Sequence, residues 1–148
     1  PRPTSRPAAS SPSSRKAVGL LALHGVSKSY GALKVTQDVT LAVQAGETLG
    51  ILGPNGAGKT TLFNLISGDV RVDAGRVEYE GRDITALKPH QRCRAGIGRS
   101  YQVPQPFGNM TVFENLVTAA SFGGGQPEHE AWETAHQVLV QTGLLPQA

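Results

Sequence analysis

Gly53-Pro54-Asn55-Gly56-Ala57-Gly58-Lys59-Thr60-Thr61 decides how the rest of this chain is read. Its first eight residues fill every fixed position of G-x-x-x-x-G-K-S/T, the pattern of a phosphate-binding loop. Glycines let the backbone curl so that successive N–H groups converge on phosphate oxygens. A helix opening at the end of the loop adds its unpaired first amides and the positive end of its dipole. Lys59 supplies a cation for the outer phosphates, and the Thr60 hydroxyl is suited to ligate Mg²⁺. The motif needs a strand before it and a helix after it. Glu47 to Leu52 reads as that strand, and Lys59 to Ile66 as that helix, with Leu62, Leu65 and Ile66 on one apolar face and Gly68 as its stop. A nucleoside triphosphate with Mg²⁺ is the ligand these residues predict.

Outward from the loop, short strands alternate with glycine turns. Leu20 to Leu23 and Val39 to Val43 read as strands before it, and Gly75 to Gly81 begins a hairpin after it. Pro89 and Gly96 bracket a short helix, and Gly96 to Tyr101 reads as extended. Thr111-Val112-Phe113-Glu114 spells a capping box for a helix reaching about Ser121. Glu128 to Gln141 reads as a last helix with Trp132, Ala135, Val138 and Leu139 on its apolar side. No internal repeat is visible.

At 148 residues, 39 % hydrophobic and 17 % charged, the chain has the composition of one soluble globular domain. Its longest apolar run, Ala17 to Leu23, is too short to cross a bilayer, and no secretory signal is visible. A lone cysteine, Cys93, fits a reducing compartment, so the expected location is cytosolic. The net charge of +3 is concentrated early, because no acidic residue precedes Asp38. Residues 1 to 16 carry little to bury and read as a disordered, solvated basic tail, with no nucleic-acid partner expected. The chain begins at Pro1, as a fragment or processed product would.

Other triphosphate proteins share the loop. A GTPase would need a guanine-reading N-K-x-D, which does not occur, and a D-x-x-G switch after the loop, which is also missing. A small-molecule kinase would continue directly into a parallel sheet with a lid, where this chain has a hairpin at 75 to 84.

The stretch G-P-N-G-A-G-K-T-T-L-F-N-L-I-S-G (53–68), with L-H-G-V-S-K-S-Y-G (23–31) and D-V-T-L-A-V-Q-A-G-E (38–47) before it, resembles the nucleotide-binding subunit of ABC transporters. The block G-I-G-R-S-Y-Q (96–102) with M-T-V-F-E-N-L (110–116) resembles in particular the ATPases of branched-chain amino-acid importers. The likeness covers nearly all of residues 20 to 146. It implies an α/β fold with a P-loop core of the ABC type, an N-terminal antiparallel β subdomain and the start of a helical subdomain, in a domain that is incomplete over residues 17 to 148.

The same likeness implies roles. Tyr30 falls at the adenine-stacking aromatic, Gln102 at the glutamine that contacts Mg²⁺ and the site of the attacking water, and Thr61 beside the α-phosphate. Lys59 and Gln102 are the implied catalytic residues, and Thr60 and Gln102 the implied metal ligands. Pro104, Pro106, Phe107 and Met110 would face a membrane partner or pack on their own helices. The implied partners are transmembrane permease subunits, a second ATP-binding subunit and, through the complex, a substrate-binding protein, on the cytoplasmic face of the membrane. A soluble ABC-type ATPase acting on ribosomes or DNA is the alternative, and a P-loop kinase a more distant one.

The likeness stops before a second acidic motif, a signature loop or a switch histidine. Phe122-Gly123-Gly124-Gly125-Gln126 imitates L-S-G-G-Q, but it lacks the serine and Pro127 follows, so it reads as a linker. Gly143 to Pro146 is expected to be the end of a chain truncated before the signature, able to bind ATP, unable to turn it over, and marginally stable.

Overall fold

A computed structural model describes residues 19–148; the tail expected at 1 to 16 lies outside the described residues. Two long strands open the fold, β1 (Leu21–Tyr30) and β2 (Leu33–Val43). They form an antiparallel hairpin closed at Gly31-Ala32, with Leu21 opposite Val43, Leu23 opposite Leu41 and Tyr30 opposite Leu33. The expected first strand, Leu20 to Leu23, is thus only the beginning of β1, which runs on through a bulged stretch around Gly25 to Tyr30. Gly25 takes φ 62° there, a conformation that reads from sequence as a strand end.

After the phosphate loop comes α1 (Lys59–Ser67), and then β3 (Ala74–Tyr79) and β4 (Arg82–Asp83) make the second hairpin. β3 lies antiparallel against the other edge of β1, with Leu23 opposite Val77, so the sheet order is β2-β1-β3-β4. The chain continues through α2 (Pro89–Arg94), α3 (Val112–Thr118), a single π-turn at Ala119–Gly123, α4 (Glu128–Thr142) and a 3-10 turn at Leu145–Gln147. No helix among the described residues is long and apolar enough to cross a membrane.

The core explains why α1 sits where it does. Leu62 and Leu65 of α1 bury against Leu23, Val26, Val77 and Ile84, with Ile66, Val39, Leu41 and Ile97 packed around them. Burial of each such aliphatic side chain contributes about 1.5–3 kcal/mol, enough to fix the helix on the sheet. Gly68 ends α1 in the left-handed conformation and returns its N–H to the Asn64 carbonyl. A second apolar contact lies between α3 and α4, where α4 buries Ala131, Ala135 and Leu139. The Thr111–Glu114 capping box forms as expected, Glu114 N donating to Thr111 Oγ1 at 3.1 Å and Thr111 N to Glu114 Oε2 at 2.7 Å.

Three expectations are corrected. Glu47 to Leu52 is not a strand: no described strand pairs with it, and Leu49 and Leu52 are exposed, Leu52 at 96 %. A strand exists through its ladder, and apolar alternation alone does not supply a neighbour. Gly96 to Tyr101 likewise joins no sheet. Trp132 is not on the buried side of α4; it is 54 % exposed and meets the edge of Phe113 in a T-shaped pair with centroids 5.2 Å apart. The buried side of α4 is taken by Ala131, Ala135 and Leu139.

Candidate nucleotide site

The phosphate loop runs from the end of the irregular 47–52 segment into the first turn of α1. Gly53 to Ala57 are exposed, Gly58 and Lys59 half-buried, Thr60 exposed and Thr61 half-buried. Gly58 adopts φ 82°, and a Cβ added there would stand 2.8 Å from the Val35 carbonyl oxygen. Only glycine meets both demands, and that contact seats the loop directly on β2. Val35 lies two residues past the Tyr30–Leu33 pair, so the hairpin end carrying Tyr30 and the end of the phosphate loop meet on one strand, β2.

Within the loop, Ala57 N donates to Pro54 O at 3.2 Å, and Lys59 Nζ donates to Gly53 O at 2.6 Å and Pro54 O at 2.7 Å. Lys59 therefore closes on its own loop. The amides of Gly56, Gly58, Lys59 and Thr60 have no acceptor among the described residues, as the geometry of a helix N-terminus dictates. No side chain caps α1 and no acidic residue occupies its first turn. A set of free amides beside one ammonium and one hydroxyl, at the positive end of a helix, fits a phosphate chain with a divalent cation.

The residues expected to hold the metal come together. Thr60, Phe63, Arg99, Tyr101, Gln102 and Val103 line one open cavity of about 460 Å³. Tyr30 does not line that cavity; it stands half-exposed at the hairpin end, 5.4 Å from Lys28 Nζ to ring centroid. Lys28 is itself fixed by Asp73, whose carboxylate takes Lys28 Nζ at 2.6 Å and Ser29 N at 2.7 Å. Those two hydrogen bonds, the lysine's first, hold the Asp73 carboxyl below its ordinary value of 3.8.

Sequence reasoning passed over two arginines. Arg92 is 2 % exposed, and its guanidinium donates to the carbonyls of Leu65 (2.7 Å), Ile66 (2.8 Å), Thr85 (2.8 Å) and Leu87 (3.1 Å). It satisfies the C-terminal carbonyls of α1 and ties them to α2 and the β4 turn. Burial pulls its pKa down from the usual arginine range, while Asp69 and Asp83 act in the opposite direction. Arg99 binds the same end of α1 from the other side, through Asn64, Ser67 and Asp69. Arg92 belongs to none of the motifs, and Arg99, although it lies in the block G-I-G-R-S-Y-Q, has no role implied by that likeness.

A profile of the ABC transporter family matches residues 36–148, most of the chain. The chain belongs to the ABC transporter family. Among the relatives of this ABC transporter chain is a probable branched-chain amino acid transport ATP-binding protein, LivG, of Archaeoglobus fulgidus. It is 45 % identical over 125 residues, a match covering 82 % of this chain and 49 % of the relative. The lipopolysaccharide export system ATP-binding protein LptB of Haemophilus influenzae is 44 % identical over 127 residues, covering 86 % and 53 %. A crystallised nucleotide-free ATP-binding cassette from an ABC transporter superposes with a TM-score of 0.71 at 34 % identity, over 86 % of this chain and 55 % of that one. The ABC transporter chain thus spans about half the length of these relatives. The expected α/β cassette architecture stands.

Proposed function

We propose that this chain carries the nucleotide-binding half of a transport ATPase subunit, with Gly53, Pro54, Asn55, Gly56, Ala57, Gly58, Lys59, Thr60 and Thr61 cradling the phosphates of ATP. The observation that carries the reading is the set of unpartnered amides at the start of α1 beside Lys59 and Thr60. On binding, Lys59 Nζ exchanges the carbonyls of Gly53 and Pro54 for phosphate oxygens, which are stronger acceptors. Thr60 and Gln102 hold Mg²⁺, Thr61 contacts the α-phosphate, and the half-exposed ring of Tyr30 stacks on adenine. Mg²⁺, when bound, neutralises charge on the phosphate oxygens. In the whole protein, Lys59 and Gln102 serve ATP hydrolysis.

The subunit pairs with a second ATP-binding subunit and docks peripherally on transmembrane permease subunits at the cytoplasmic face of the membrane. The likeness to LivG favours import of branched-chain or other hydrophobic amino acids, with a substrate-binding protein in the complex. The likeness to LptB, of nearly equal identity, favours export of a lipid-linked substrate as a second reading. Calorimetric titration of the chain with ATP and Mg²⁺ tests the common core: Lys59→Ala should weaken binding at least about tenfold, the effect of one lost charge-assisted bond pair. Equal affinity in the variant would refute it.

A further inference from the structure

Helix α1 presents two stripes. Leu62, Leu65 and Ile66 face the sheet, while Thr60, Phe63, Asn64 and Ser67 form a second row at i, i+3, i+4 and i+7. The segment 98–103 lies along that second row. At the C-terminal end of α1, Arg99 Nη1 donates to Asn64 Oδ1 at 2.6 Å, Ser67 Oγ at 3.1 Å and Asp69 Oδ2 at 2.7 Å. The Tyr101 hydroxyl donates to the same Asp69 oxygen at 3.3 Å, and Ser67 Oγ donates to it at 2.6 Å. The Arg99 guanidinium carbon stands 4.5 Å from the Tyr101 ring centroid, and the arginine side chain is only 18 % exposed.

The next residue after Tyr101 is Gln102, which lines one cavity with Arg99 and Tyr101 and with Thr60 and Phe63 of the first half of α1. No hydrogen bond to Gln102 or Val103 occurs among the described residues, and the segment has no regular structure. The placement of Gln102 therefore depends on the anchor one and three residues upstream, at Tyr101 and Arg99. A loop held at one point by a planar, multiply bonded guanidinium and a stacked ring loses most of its freedom there.

We propose that Arg99, with Asp69 and Tyr101, is a positioning clamp that sets Gln102 against Thr60. The proposal rests on the reading of Thr60 and Gln102 as the shared Mg²⁺ ligands, and its test separates the two. ATP affinity is measured in excess EDTA and in excess Mg²⁺ for the wild-type chain, Arg99→Ala, Asp69→Asn, Gln102→Ala and the Arg99→Ala/Gln102→Ala double variant, alongside ¹⁵N backbone order parameters over residues 98–103. Arg99→Ala keeps its EDTA affinity within about twofold, loses about five- to tenfold of the gain that Mg²⁺ gives, and shows lower order parameters over 98–103. Asp69→Asn, nearly isosteric and safe for folding, shifts both readouts the same way by less. The double variant is no worse than Gln102→Ala alone, because the clamp acts only through that residue.

Additive losses in the double variant, or equal losses with and without Mg²⁺, overturn the clamp and leave a merely structural arginine. If Mg²⁺ gives no Gln102-dependent gain in the wild type, the metal reading fails, and the order parameters over 98–103 still judge the anchor. Unchanged order parameters in Arg99→Ala overturn it.

Discussion

Replacing Arg92 by alanine should be the most damaging single change to a charged residue in this domain. Four carbonyls lose their donor: those of Leu65 and Ile66 at the end of α1, Thr85 after β4, and Leu87 before α2. A buried acceptor left without a donor costs about 1–3 kcal/mol. The bond to Leu65 is wholly buried and the other three partly so, which lets water recover part of the loss at the latter. Loss of the guanidinium also removes a cation from the negative end of the α1 dipole and leaves a void beside Gly68. Relief of the arginine's own desolvation offsets some of this.

The balance is a loss of about 3–5 kcal/mol, most of it from acceptors left without a donor at about 1–3 kcal/mol each. For a chain of this size that lowers Tm by on the order of 10 °C. Thermal and urea unfolding followed by far-ultraviolet circular dichroism measure it, with the exposed Arg94→Ala as the control, expected within about 0.5 kcal/mol of wild type. Arg92→Lys, which keeps the charge but not the planar fork, should fall between. Equal stabilities for Arg92→Ala and Arg94→Ala would refute the reasoning.

Two smaller effects follow from the same hydrogen-bond geometry. Thr111→Ala removes the acceptor for Glu114 N and should cost about 1 kcal/mol, with Thr111→Ser restoring most of it in the same unfolding assay. The Asp73 carboxyl is held below its ordinary 3.8 by Lys28 and Ser29, so its folded pKa lies below its unfolded one. Its stabilisation is full above that unfolded value and is lost as pH falls through the lowered folded one. The stability gap between wild type and Asp73→Asn, followed by denaturation at several pH values, should therefore be constant from neutral pH to about 5 and close below about 4; a gap that widens on acidification would contradict the assignment.

Much of the site was legible because its chemistry is local in sequence. The phosphate loop, the helix behind it with Leu62 and Leu65 inward, the Gly68 stop and the Thr111 cap are each set by residues within one or two turns of one another. Glu47 to Leu52 was misread because its apolar residues look like those of a strand, while a strand needs a partner that lies elsewhere in the chain. Trp132 was misread because helical spacing places it beside the buried stripe of Ala131, Ala135 and Leu139, and spacing alone does not say which neighbouring position faces the partner helix. Arg92 and Arg99 could not be read at all. Their partners lie 26 to 35 residues away on α1, and the acceptors of Arg92 there are backbone carbonyls, which every residue possesses.

The central claim, that the loop is a phosphate cradle, is tested most directly by the amides themselves. In ¹H–¹⁵N correlation spectra of the chain, ATP with Mg²⁺ should shift the resonances of Gly56, Gly58, Lys59 and Thr60 most strongly, because those donors have no acceptor among the described residues. At an ATP concentration near the wild-type Kd, the shifts should be much smaller in Lys59→Ala, while the Thr111 and Glu114 amides stay in place in both. Saturating ATP that leaves the four loop amides of the wild type unmoved, or equal shifts with and without Lys59 near that Kd, would contradict the claim.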